Sequence, residues 1–95
     1  MTNQTRYKKN PDFIYRKIVD ESILVPIHRD VANMESIYTL NSVGAFIWEF
    51  LAQPANREEL QMAVLKEYDA DPEILSEDIE RFLSQMIAIG AIQEV

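Results

Sequence analysis

The side chains able to do chemistry are few, and their spacing says more about binding than about catalysis. There is no cysteine and one histidine, His28. Disulfides, thiolate nucleophiles and thiolate metal sites are therefore absent, and little is left for zinc or for base catalysis. Serines and aspartates are present, yet no motif places a serine on a strained turn as a nucleophile requires. His28 sits beside Arg29 at the end of an apolar run, where a solvated strand end is the reading, since a metal site needs partners the sequence does not supply. The richest cluster of carboxylates runs from Asp69 to Glu80, with acids at the first, third, fifth, ninth and twelfth positions of a calcium-type loop. Its sixth position is Ile74 where the sharp turn wants glycine, and Pro72 favours immediate helix entry. A helix cap followed by an acidic first turn accounts for the same residues.

Charge narrows the partners further. The chain of 95 residues carries a net charge of −7, unevenly spread. Residues 1–29 hold six basic against three acidic residues, a local balance of +3, and residues 30–95 hold three against thirteen, or −10. Phosphate backbones are bound through Lys and Arg, so the acidic remainder disfavours nucleic acid. No apolar run approaches the roughly 18 residues that would span a membrane. The polar residues 1–6 lack a signal peptide's apolar core, and a cytoplasmic protein is expected.

The elements that must position any site are organised around residues 36–51. Ser36-Ile37-Tyr38-Thr39-Leu40 reads as a strand, Asn41 or Ser42 offers a side-chain oxygen to a helix's first amides, and the period then changes from two to 3.6. Val43, Phe46, Ile47, Phe50 and Leu51 fall at i, i+3, i+4, i+7 and i+8, one apolar helix face. Trp48 lies off that stripe and is assigned to the core of a helix covered on two sides. Upstream, residues 13–19 and 23–28 are two runs of strand formers joined by Asp20-Glu21-Ser22, a hairpin. Pro26 must turn outward or end its strand, because it has no amide hydrogen for the ladder. Residues 29–35 make a wider connection into the third strand, completing an antiparallel meander. Residues 1–12 are polar and without period, and read as a flexible arm ahead of one domain at 13–95.

Downstream, Asn56 and Glu59 have capping-box spacing, and Leu60, Ala63, Val64 and Tyr68 share one face of a second helix, with Met62 and Leu65 on its shoulders. Asp71 caps the third, Pro72 takes its first position, Leu75, Ile79, Phe82, Leu83 and Met86 form its stripe, and Gly90 ends it. Residues 91–95 add a short extended piece. The fold class is α+β and winged-helix-like, a three-stranded antiparallel sheet followed by three helices. On the third helix Asp78, Phe82, Gln85 and Ile89 form a shoulder of mixed polarity suited to the wall of a peptide groove. The opposite shoulder, Ser76, Leu83 and Ile87, is the alternative wall for such a groove.

In this order and spacing the chain resembles the family of the coenzyme PQQ synthesis protein D, the small proteins that recognise ribosomally made precursor peptides. The resemblance runs from Asn10-Pro11-Asp12 through the hairpin at Asp20-Glu21 to the signature Tyr38-Thr39-Leu40-Asn41-Ser42-Val43-Gly44-Ala45-Phe46-Ile47-Trp48-Glu49. It continues at Glu58-Glu59-Leu60, Glu67-Tyr68-Asp69-Ala70-Asp71-Pro72-Glu73, Asp78-Ile79, Phe82-Leu83 and Gly90-Ala91-Ile92. One departure is Gln53-Pro54-Ala55-Asn56, where the family has an acidic-glycine turn. The resemblance implies a peptide chaperone that binds the leader of a precursor peptide and presents it to a modifying enzyme, commonly a radical SAM enzyme, in the biosynthesis of PQQ or another peptide-derived product. It implies that the leader adds as a strand beside the third strand, at Met34, Ser36, Ile37, Tyr38 and Thr39, and enters the groove of Asp78, Phe82, Gln85 and Ile89. Such a protein needs no cofactor or metal and is no enzyme. The open edge can also pair with a second copy, giving a homodimer that hides the site. The alternative is a winged-helix regulator reading DNA with the third helix, which carries Glu73, Glu77, Asp78 and Glu80 against Arg81, the wrong sign for the major groove.

Overall fold

Asn41 ends a strand and starts a helix in one residue, and the fold is laid out on either side of it. The computed structural model describes residues 5–27 and 37–95. His28, Met34 and Ser36, with the rest of the connection between the second and third expected strands, lie outside the described residues. The elements are β1 (Arg6–Lys9), β2 (Phe13–Ile18), β3 (Glu21–Pro26), β4 (Tyr38–Leu40), α1 (Ser42–Phe50), β5 (Ala55–Asn56), α2 (Arg57–Glu67), α3 (Pro72–Ile89) and β6 (Ile92–Glu94). The expected meander is the sheet β2-β3-β4, antiparallel throughout. Its inward face carries Phe13, Leu24 and Leu40, all buried, as the period-two pattern requires. Its turn differs from expectation: Val19 and Asp20 make it, with Val19 at φ 56, a left-handed conformation costly to a β-branched side chain.

The three helices stand where the sequence places them, with the expected caps. Asn41 Oδ1 accepts the Gly44 amide at 2.7 Å. The Asn56 side chain accepts the Glu59 amide at 2.8 Å, while Glu59 Oε1 accepts the Asn56 amide at 2.9 Å, a complete capping box. Asp71 accepts the Glu73 amide behind Pro72, so the acidic segment is built as a helix start. Gly90 ends α3 at φ 87, where a side chain would be strained. Among the described residues no helix is long and apolar enough to cross a membrane.

Two readings need correction. The apolar stripe of α1 is turned by about one residue: Gly44, Ile47, Trp48 and Leu51 are buried, whereas Phe50 is 39% exposed. Trp48, 1% exposed, takes the central place because α1 packs with β1 below it as well as with α2 and α3, and the largest side chain fills that junction. Residues 6–9 are also no flexible arm. They form β1, the central strand of a second sheet, β5-β1-β6, whose registers are Arg6↔Asn56, Tyr7↔Ala55, Tyr7↔Glu94, Lys8↔Gln93 and Lys9↔Ile92. Asn10 extends the anchorage: its amide bonds Ala91 O at 2.8 Å and its side chain bonds Gly90 O at 2.7 Å. Lys9 Nζ lies 5.5 Å from the centre of the Trp48 ring, a cation–π contact. A polar strand of four residues has no alternation to betray it, since its partners lie about 50 and 85 positions away in the chain.

Removal of residues 1–9 is therefore expected to lower stability by several kcal/mol, at about 1 kcal/mol for each ladder bond lost, and so to lower the urea midpoint of unfolding. An unchanged midpoint is what a dispensable arm would give.

Candidate functional site

The two edges of the meander are β2 and β4, and the hydrogen-bond parity of the sheet shows which atoms β4 leaves open. The Ile27 amide donates to Asp12 O at 2.7 Å, and residues 12 and 27 stand opposite in the β2–β3 register. This makes them a hydrogen-bonded pair, so odd-numbered residues of β3 bond toward β2 and even-numbered ones toward β4. Ser22↔Leu40 and Leu24↔Tyr38 are then the bonded pairs on the other side, and Ile23↔Thr39 is not. The amide and carbonyl of Thr39, and by the same alternation those of Ile37, point to the free side of β4. Both side chains are exposed, Ile37 by 57%. Tyr38 has the opposite role: its main chain serves β3, and its ring packs 6.5 Å from that of Phe13.

A groove of about 310 Å³ adjoins this edge, bounded by the first turn of α1 and by α3. Asn41, the residue after β4, stands at its rim beside Val43, Gly44 and Ile47, and α3 supplies Ile74, Leu75, Asp78, Arg81, Phe82 and Gln85. The floor is apolar and the upper wall polar. Asp78 and Arg81 pair across the rim at 3.0 Å, but both are more than half exposed, so the pair adds little stability and both groups remain available to a ligand. Asp78, Phe82 and Gln85 are thus brought together as the shoulder reading expects. Ile89, two turns on, packs against the core instead of lining the groove. Leu83 is buried and Ile87 half-buried on the other side of α3, where both border a shallow depression with Tyr7 and Glu94.

Val43, Gly44, Ile47, Ala70, Ile74 and Arg81 are lining residues that the sequence reading did not assign to the site. Gly44 carried a usable signal, because glycine inside a helix weakens it unless a neighbour needs the space. A Cβ at this position would stand 3.0 Å from Phe82 Cε1 and 3.2 Å from Asn41 Oδ1. The missing side chain lets the Phe82 ring lie against α1 and leaves the groove open above it. Among the described residues there is no group of three His, Cys, Asp or Glu side chains placed to hold a metal ion. The site offers main-chain donors and acceptors and an apolar slot, the equipment of strand addition.

Comparison with known proteins gives a family and a fold. Residues 21–92 match the family model described as coenzyme PQQ synthesis protein D (PqqD). No curated protein sequence matches significantly. Among solved structures, TbiB1 in complex with the TbiA(beta) leader peptide is similar with a TM-score of 0.72 at 23% identity, over 90% of this chain and 94% of that one. Lasso peptide synthetase B1 complexed with the leader peptide is similar with a TM-score of 0.70 at 13% identity, over 92% and 96%.

Gly44→Ala tests the close approach. A helix gains about 1 kcal/mol from this exchange, and overpacking costs about 1–3 kcal/mol. The expected result is a small net loss of stability with a clear shift of the Phe82 ring protons in NMR spectra and none at the Trp48 indole. Unmoved Phe82 signals would mean that the ring has room the structure does not show.

Proposed function

Since this chain belongs to the coenzyme PQQ synthesis protein D family, we propose that it is a peptide-binding adaptor. It takes the leader of a ribosomally made precursor peptide as an added strand on β4 and presents the peptide to a modifying enzyme. The enzyme in this reading is of the radical SAM type, and the chain itself contributes binding without catalysis. Two proteins of similar fold are solved with leader peptides bound, which supports the reading. The observation that carries it is the outward main chain of Thr39 and Ile37 beside the groove at Phe82 and Gln85.

Magnitudes explain why both parts are needed. Thr39 and Ile37 offer two donors and two acceptors, worth about 1 kcal/mol each. Association costs at least about 4 kcal/mol in lost freedom, so an edge alone holds nothing. One aliphatic leader side chain buried in the groove adds about 1.5–3 kcal/mol, which tips the balance and makes recognition depend on sequence. The edge accepts any backbone; the groove selects. Of the proposed contacts among the described residues, Asp78 and Gln85 give the groove its polar rim, and Tyr38 and Ile89 act by packing behind it; Met34 and Ser36 remain part of the proposed peptide contact. A second copy pairing through β4 would compete with the leader for the same atoms. No observation favours DNA: Glu73, Glu77, Asp78 and Glu80 are all exposed on α3.

Thr39→Pro and Ile37→Pro each remove one outward donor and crowd the incoming strand. Each variant is expected to stay folded and to bind the leader of the precursor peptide encoded beside this gene about tenfold more weakly by calorimetry, from a loss of about 1.4 kcal/mol. Undiminished affinity in both folded variants would remove strand addition as the mode of binding.

A further inference from the structure

The apolar stripe expected on α1 carries two aromatic residues outside the leader groove, Phe46, half-buried against the core, and Phe50, 39% exposed. Phe46 and Phe50 stack with centroids 6.2 Å apart, and Tyr68 meets Phe46 edge-on at 5.9 Å, so three rings run along the outer side of α1. Across from them α2 presents Met62, 62% exposed, and Ala63, and a groove of about 380 Å³ lies between. An exposed ring, a half-buried ring and an exposed methionine line one depression, the residue types enriched at the centres of protein-binding surfaces. The surface lies away from the Gly44–Ile47 side of α1 that lines the proposed leader groove.

We infer that the Phe46–Phe50–Met62 groove is the docking surface for the modifying enzyme, which meets it with an apolar side chain set in a basic surface. The inference rests on the adaptor reading. Charge selects the occupant. Glu67 and Glu59 rim the groove against Lys66, Glu49 stands exposed beside Phe46, and neither Glu49 nor Glu67 has an ion-pair partner among the described residues. Glu59 is shared with Arg6 at 3.5 Å. Glu49, Glu59 and Glu67 against Lys66 and Arg6 leave a balance of −1 around the groove, which favours a basic partner over a second copy carrying the same charges. With leader and enzyme on different sides of α1, both bind at once, as presentation requires.

The test uses the full chain, the purified modifying enzyme encoded beside its gene, and the leader peptide as separate probes. In the double variant Phe50→Ser/Met62→Ser, both positions being exposed, circular dichroism should be unchanged and leader affinity should stay within twofold. Enzyme affinity should fall at least tenfold. Glu67→Lys should weaken enzyme binding severalfold at low salt and by less at high salt, because it removes a screened attraction. Enzyme affinity within twofold of the parent in the folded double variant overturns the inference, as does absence of enzyme binding to the parent. A parallel loss of leader affinity also overturns it by assigning the groove to the peptide. So does a parent dimer in sedimentation that the variant dissolves. Enzyme binding that depends on Phe50 and Met62 in a protein that binds no leader would leave this surface standing and remove the adaptor reading instead.

Discussion

The whole arrangement depends on one hydrogen bond, the Gly44 amide donating to Asn41 Oδ1 at 2.7 Å. Asn41 follows the last residue of β4 directly and caps the first turn of α1, so the sheet edge and the helix cannot move independently. A cap of this kind contributes about 1 kcal/mol to stability, but its geometric consequence is larger. It holds the outward main chain of Thr39 next to the mouth of the groove. In the proposed mode of binding, a strand lying on β4 has the apolar slot within reach.

Helix α1 then divides its surface three ways. Trp48 and Leu51 anchor it in the core, Gly44 and Ile47 open toward α3, and Phe46 and Phe50 turn toward α2 and solvent. The burial of Trp48 is what makes this division possible, because one large side chain supplies the anchorage that a broader stripe would otherwise need. The second sheet completes that anchorage, with Lys9 over the indole and Ile92 buried in the same core. Both flanks of a helix only nine residues long are thereby left open for the two proposed surfaces.

The chain's charge is arranged to suit such a role. Seven of its sixteen carboxylates lie on α2 and α3, where those of the first turns are favourable to the helices themselves. The same placement is the wrong sign for a phosphate backbone. Stability and partner choice here draw on the same residues.

How much of this was legible from the residues alone follows from the range of the interactions. The caps at Asn41, Asn56 and Asp71, the stop at Gly90, the three helices and the meander are local: spacing of a few positions determines them, and the sequence carried each one. The motif from Tyr38 to Trp48 also carried the family, and the shoulder of Asp78, Phe82 and Gln85 was visible as a pattern on one helix. What the sequence could not settle was which way each patterned face turns. Five apolar residues of α1 fit one stripe as well as another, and only packing against β1, α2 and α3 decided that Trp48 goes in while Phe50 stays out. Likewise β1 is a strand solely because β5 and β6, from distant parts of the chain, come to lie on either side of it. Tertiary structure alone decided these points, because burial and long-range pairing depend on what arrives opposite a residue and not on its neighbours in sequence.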